Sequence, residues 1–350
     1  MRERRAIVEQ WESGSAAALV TLVRTEGSSY RQPGARMLVT NRGETFGAIS
    51  GGCLEAELAR RARWVARNGA VVERLSTVFD DAAEMPYGLG CGGTLDLLIE
   101  PADTPEATAL LSAMRDSLGG SRRNVVTWLP RGGSSLRRAV YDDAGAALFD
   151  SGTQPAEDVF DEWLEPPQRI FIFGAGDDAQ PLANFASLLG WRNIVVDSRS
   201  QLARPERFPK ADAVLATSSL RNPIVQREDA VVIMSHSYEQ DRSWLAQILP
   251  QRPRYLGLLG SRHRSSLLIR DAASTLGWTI DEACENVFAP VGLDLGGDGA
   301  EAIALAIIAE IQACCQGKLG HSRRMTPAII EEQIATGGSA TQYLKTQCAL

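Results

Sequence analysis

The feature that most limits what this chain can fold into is a strand, a glycine turn, a helix and a second strand in direct succession. Arg169-Ile170-Phe171-Ile172-Phe173 runs into Gly174-Ala175-Gly176-Asp177-Asp178-Ala179. A helical pattern continues to Leu189, and Asn193 to Asp197 reads as the next strand. In a G-x-G-x-x-A turn the first glycine makes the bend and the second lets a phosphate approach the backbone. The third small residue lets the helix pack on the strand. A phosphate would rest on the helix N-terminus. An acid about 20 residues on, here Asp197, would take a ribose hydroxyl. Gly174, Gly176 and Asp197 are therefore candidate nucleotide or dinucleotide contacts, and Arg199 suits a 2′-phosphate. Asp177 and Asp178 place negative charge where a pyrophosphate would sit, which should weaken its binding. A Rossmann turn kept for packing alone, with nothing bound, is the competing reading.

Beyond the turn, strands and helices keep alternating. Ala213 to Ala216, Ala230 to Ser235 and Tyr255 to Leu258 read as strands. Ser243 to Leu249, Ser265 to Leu276 and Ala300 to Cys315 read as helices. That alternation predicts a Rossmann-like doubly wound parallel sheet. Ligands bind such sheets at the C-terminal ends of the strands. His236 and Arg262 each follow a strand there, and Asp294 lies in the glycine-rich loop Pro290 to Gly297, so all three are site candidates. The first half mixes helical patterns with strands at Ala17 to Val23, Arg36 to Thr40, Val71 to Val78 and Thr94 to Ile99, then a β meander. The fold class is α/β, with a mixed α/β domain over 1–165, a Rossmann-like domain over 166–320 and an appended tail over 321–350. Glu165-Pro166-Pro167-Gln168 reads as the linker.

Two cysteines of the first half sit in glycine: Gly51-Gly52-Cys53-Leu54-Glu55 and Gly88-Leu89-Gly90-Cys91-Gly92-Gly93. Glycine allows positive φ and removes bulk, so backbone N–H groups can crowd toward an anion. Gly51, Gly52, Gly90 and Gly92 are candidate contacts of that kind. Cys53 precedes a helical pattern, whose dipole favours a thiolate, while Glu55 opposes one. Upstream, the polar loop from Arg24 to Arg36 supplies Arg31 and Arg36, suited to an oxyanion. Taken singly, each thiol reads as a small buried residue in a tight turn. Two of them beside an arginine loop read as a functional site.

Composition narrows the classes. The net charge of −7 over 350 residues argues against a broad nucleic-acid footprint. No run is apolar enough to span a bilayer, and the charged start lacks the apolar core of a signal peptide. The six cysteines form no C-x-x-C pair and histidines number three, which argues against a structural zinc site. Reduced thiols in the cytoplasm are expected.

Together these segments resemble the XdhC/CoxI (CoxF) family of xanthine and carbon monoxide dehydrogenase maturation factors. The resemblance is carried by Gly27-Ser28-Ser29-Tyr30-Arg31, Gly34-Ala35-Arg36-Met37, both cysteine loops and Phe173-Gly174-Ala175-Gly176. It continues through Tyr255-Leu256-Gly257-Leu258-Leu259-Gly260-Ser261-Arg262, Pro290-Val291-Gly292-Leu293-Asp294-Leu295-Gly296 and Ala309-Glu310-Ile311. Asp177 stands where the family usually has histidine, and Gly299-Ala300-Glu301 where it often has Pro-Glu-Glu. The resemblance implies a chaperone, rather than an enzyme with its own turnover, that binds the molybdenum cofactor (molybdopterin). It implies support for sulfuration of that cofactor, with a cysteine desulfurase as donor, and insertion into a molybdenum hydroxylase client. A homodimer is compatible with this role. Cys53 is the candidate sulfur or molybdenum contact and Cys91 the second thiol, because thiolate is a soft ligand. Arg31 and Arg36 would meet phosphate. The alternative is an NAD(P)-dependent oxidoreductase using the Rossmann domain.

Overall fold

The computed structural model describes residues 1–52, 54–65, 67–76, 93–131, 135–152, 158–218 and 225–320. The chain passes from one compact unit to a second between Pro166 and Pro167, and each is described by itself.

The N-terminal unit contains α1 (Arg2–Glu12), β1 (Ala16–Glu26), β2 (Arg36–Thr40), β3 (Thr45–Gly47), α2 (Glu55–Val65), β4 (Val71–Ser76), β5 (Thr94–Pro101), α3 (Pro105–Leu118), β6 (Arg123–Trp128), β7 (Arg137–Tyr141), β8 (Ala147–Asp150) and β9 (Val159–Leu164). One antiparallel sheet has the order β3-β2-β1-β5-β4, and a second has β8-β7-β6-β9. The period of two sends alternate residues of β1 to opposite faces. Ala18, Val20 and Leu22 meet Leu58, Ala62 and Val65 of α2. Leu19 turns the other way, into a core with Ile7, Leu110, Leu111, Met114, Val125 and Leu164. Burial on both faces explains why β1 reads as a continuous apolar run rather than an alternating one. Helix α3 begins as its sequence requires: Thr104 caps it by accepting the Ala107 N–H, and Pro105 fills the first turn. The strand β9 carries no alternating apolar signal, and its pairing with β6 completes the meander.

The C-terminal unit contains β10 (Arg169–Phe173), α4 (Ala179–Leu188), β11 (Arg192–Asp197), β12 (Ala213–Ala216), β13 (Ala230–Ile233), α5 (Tyr238–Ile248), β14 (Tyr255–Leu258), α6 (Arg262–Leu276), α7 (Ile280–Cys284), β15 (Val287–Phe288) and α8 (Ala300–Cys315). Its six strands are parallel, in the order β12-β11-β10-β13-β14-β15. Ile170 and Ile172 pack under α4 and α8, while Phe171 and Phe173 pack on α5 and α6. The doubly wound sheet is therefore the fold, and β10 and β13 flank its switch point. Both α5 and α6 start ahead of the spans that the hydrophobic pattern marks, at caps Ser237 and Ser261. The short α7 and β15 lie beyond what the hydrophobic pattern shows. Among the described residues, no helix is long and apolar enough to cross a membrane.

Candidate functional site

In the N-terminal unit Gly51 and Gly93 both approach the segment Ser28–Tyr30. A side chain built on Gly51 would come within 3.9 Å of the Tyr30 ring, and Tyr30 is exposed. One built on Gly93 would collide with the backbone carbonyls of Ser28 and Glu26. The segment Ser28–Tyr30 therefore touches the first glycine bed on one side and the exit of the second on the other. Cys53, Cys91, Gly90 and Gly92 lie outside the described residues.

The first bed is held by Glu55. Its Oε1 accepts the N–H groups of Ile49 at 3.1 Å and Ser50 at 2.7 Å. Its Oε2 accepts the Ser50 hydroxyl at 2.6 Å and the Leu54 N–H at 3.2 Å. Ser50 Oγ accepts the Gly52 and Leu54 N–H groups in turn. The N–H groups flanking the glycines thus go to the chain's own carboxylate, and that of Gly52 goes to Ser50 Oγ. Burial works against the charge on Glu55, but the Ser50 hydroxyl and the N–H donors outweigh it and hold the carboxyl below its usual range. Gly52, at φ +113°, has open space where a side chain would be. Helix α2 starts at Glu55, two residues after Cys53.

The two arginines expected to meet phosphate are otherwise engaged. Arg36 is buried, ion-paired with Glu162, and donates to the Gly34 carbonyl at 3.1 Å. Arg31 is bound at both its terminal nitrogens by Glu3. Neither presents a free fork, because carboxylates brought close by the fold already neutralise them.

In the C-terminal unit the glycine turn is shaped as the fingerprint demands, though the tightest glycine is the first. Gly174 has φ +130°, and a side chain there would strike the Met234 carbonyl and the Ser235 backbone of the neighbouring strand's exit. Gly176 would meet only side chains: Asp178 Oδ1 at 2.5 Å and His236 Cδ2 at 3.8 Å. His236 leaves β13 at the switch point with φ +62°, an uncommon state for a residue with a side chain. It is 61% exposed, and its Nε2 lies 2.8 Å from Asp178 Oδ2.

Asp197 stands where the fingerprint puts the ribose acid, but its carboxylate is 0% exposed and makes four internal hydrogen bonds. It accepts the Ala175 N–H at 2.8 Å, the Arg199 N–H at 2.8 Å and the Arg199 guanidinium at 2.9 and 2.7 Å. Burial opposes its charge, and the Arg199 and Ala175 donors more than offset that, lowering its pKa. A ribose could reach it only by displacing Arg199, which also donates to the Ser235 carbonyl at 3.1 Å. The expected repulsion from Asp177 is likewise absent, since Asp177 is 94% exposed and paired with Arg207 at 2.7 Å. Arg207 also donates to the Ala175 carbonyl at 2.6 Å. Nothing in sequence spacing marks Arg207 as a partner of the turn thirty residues before it. Asp241 carries no such mark either. It is buried, accepts the Ser235 hydroxyl at 2.5 Å and pairs with Arg264 at 2.8 Å, tying α5 to the exit of β13 and to the first turn of α6. Arg262 and Asp294 are exposed, on the first turn of α6 and on the loop before α8.

Both units match family models in place. Residues 10–76 match the model described as the XdhC and CoxI family, and 170–311 match the XdhC Rossmann domain. The chain belongs to the XdhC and CoxI family. This XdhC/CoxI member is 29% identical, over 86% of its length, to a protein of Bacillus subtilis (strain 168) named as a probable xanthine dehydrogenase subunit, and covers 93% of that protein. It is 27% identical over 88% of its length to the "Molybdenum cofactor insertion chaperone PaoD" of Escherichia coli (strain K12), covering 86% of it. A crystal structure described as a xanthine dehydrogenase from Bacillus halodurans superimposes with a TM-score of 0.79 at 27% identity. It covers 94% of this chain and 99% of that one.

Proposed function

We propose that this chain is a maturation factor that binds the molybdenum cofactor and inserts it into a molybdenum hydroxylase of the xanthine dehydrogenase type. The similarity to PaoD, over most of both chains, supports the cofactor and the insertion role. The observation on this chain that supports the reading is that Gly51, two residues before Cys53, and Gly93, two residues after Cys91, both approach the polar segment Ser28–Tyr30.

The donor set fits one end of the cofactor better than the other. Cys53 and Cys91 would offer soft sulfur donors to the metal end, and a bound molybdenum centre would supply its own exchangeable oxo or sulfido ligand. The open space at Gly52 leaves room above the first loop. Glu55 holds Ser50 and Leu54, the residues that bracket the Cys53 loop in the sequence. The phosphate end does not fit Arg31 and Arg36, whose charges Glu3 and Glu162 already meet. A cysteine desulfurase as sulfur donor, a homodimer and a cytoplasmic setting belong to the same proposal.

The test is retention and transfer. Protein isolated from a molybdenum-replete host should carry pterin fluorescence and molybdenum, and should activate an apo-hydroxylase of this type. Cys53→Ala should lose retention and activation without a change in melting temperature. Pterin-free native protein that also fails to take up added cofactor would overturn the reading.

A further inference from the structure

The glycine turn of the C-terminal unit has the shape of a dinucleotide site, yet the space over its second glycine and its ribose acid are taken by groups of this chain. A phosphate approaches the backbone over the second glycine of the fingerprint. Over Gly176 that space holds Asp178 Oδ1, 2.5 Å from where a side-chain carbon would stand. The other oxygen of the same carboxylate is 2.8 Å from His236 Nε2. Asp178 is the N-cap residue of α4, a position where aspartate normally accepts an N–H of the first turn. Here its side chain makes no capping bond; it leans over the glycine turn to the imidazole. The ribose position is closed as well, because Asp197 is buried under Arg199. The Ala175 peptide between the glycines is consumed on both sides, its N–H by Asp197 and its carbonyl by Arg207.

We propose that Asp178 is an internal stand-in for phosphate which, with the Asp197–Arg199 lock, makes this Rossmann unit reject the dinucleotides its fold would otherwise accept. A carboxylate offers the same acceptor chemistry as a phosphate oxygen and the same sign of charge. It therefore excludes a phosphate twice, by occupying its place and by repelling it. Asp177, which precedes it, has no such role, since its carboxylate points to solvent and to Arg207. The proposal concerns the C-terminal unit alone and stands independently of the cofactor role of the thiol loops.

Fluorescence titration of the full chain with NADH and with NADPH tests it. The native chain should show no saturable binding at millimolar ligand. Asp178→Ser keeps a capping side chain, so the helix start is retained, and it clears the space over Gly176; NADH should then bind about ten-fold tighter or more. Asp178→Asn removes the charge but leaves the space filled, so its gain should be smaller than that of the serine variant. Asp177→Ser should gain nothing. Micromolar binding of NADH or NADPH by the native chain would overturn the proposal. So would an Asp178→Ser protein, melting as the native one does, that binds no better than native, or an Asp177→Ser protein that gains as much.

Discussion

Glu55 reaches back over Ser50 and takes its N–H at 2.7 Å and its hydroxyl at 2.6 Å, while also accepting the Leu54 N–H, so a single carboxylate joins residues on both sides of Cys53 in the sequence. The bond is local in sequence but sets the geometry of a loop whose glycines would otherwise leave it free. The same residue opens α2, where a negative charge also favours the helix.

Glu55→Gln should therefore loosen the loop and remove a charge that opposes a thiolate two residues away. The expected result is faster alkylation of Cys53, measured by mass spectrometry after timed labelling at neutral pH, with a loss of about 1–2 kcal/mol in stability. An unchanged labelling rate would show that the carboxylate does not govern the thiol's setting.

Arg138 and Glu100 form a carboxylate–guanidinium pair wholly inside the N-terminal unit, at 1% and 0% exposure. Both guanidinium nitrogens reach the carboxylate at 2.9 Å, and Arg138 also donates to Thr127 Oγ1 and the Glu106 carbonyl. Removing one partner leaves a buried charge uncompensated. Arg138→Met or Glu100→Gln alone should cost about 3–5 kcal/mol in chemical denaturation, and the double variant less than the sum of the two. Additive losses would mean that the two side chains do not share one network.

What the sequence shows of this molecule follows from how local each cause is. The order of β10, the turn, α4 and β11 is legible because each element is fixed by its own residues, and α3 is legible from Pro105 through Leu118 for the same reason. The edges of α5 and α6 are less so, because Ser237 and Ser261 place the caps ahead of the apolar pattern. The availability of charged residues is not legible. Arg36, Arg31 and Asp197 all look like ligand contacts until folding brings Glu162, Glu3 and Arg199 onto them. Two of these partners lie far away in sequence, and the third is only two residues on but counts only once the strand buries Asp197.

The two glycines of the Rossmann turn should respond differently to alanine. At Gly174 the added carbon meets the fixed backbone of Met234 and Ser235 in a positive-φ conformation, so Gly174→Ala should cost at least about 2 kcal/mol and lower the melting temperature clearly. At Gly176 it meets the end of the Asp178 side chain, which must give up its bond to His236 to move, so Gly176→Ala should cost less, about 1 kcal/mol. Differential scanning calorimetry of both variants decides, and equal losses would show that the second glycine is as constrained as the first.

The Asp197–Arg199 lock should make the stability of the C-terminal unit pH-dependent on the acid side. Arg199 and the Ala175 N–H hold Asp197 ionised, so its pKa is lower folded than unfolded. A group with a depressed folded pKa contributes fully above its unfolded value, about 4 for aspartate, and the contribution fades as the pH falls through the lower folded value. Native stability should thus be flat in this contribution from neutral pH to about 5 and decline below about 4. Asp197→Asn cannot titrate and leaves Arg199 without its charge partner. It should be less stable at neutral pH by about 1–3 kcal/mol, and the gap to native should narrow as the pH falls toward 3. Urea denaturation followed by the fluorescence of Trp191 and Trp244, both buried in this unit, reports on it. A gap that stays constant between pH 7 and about 3 would mean that Asp197 is not held below its ordinary pKa by this lock.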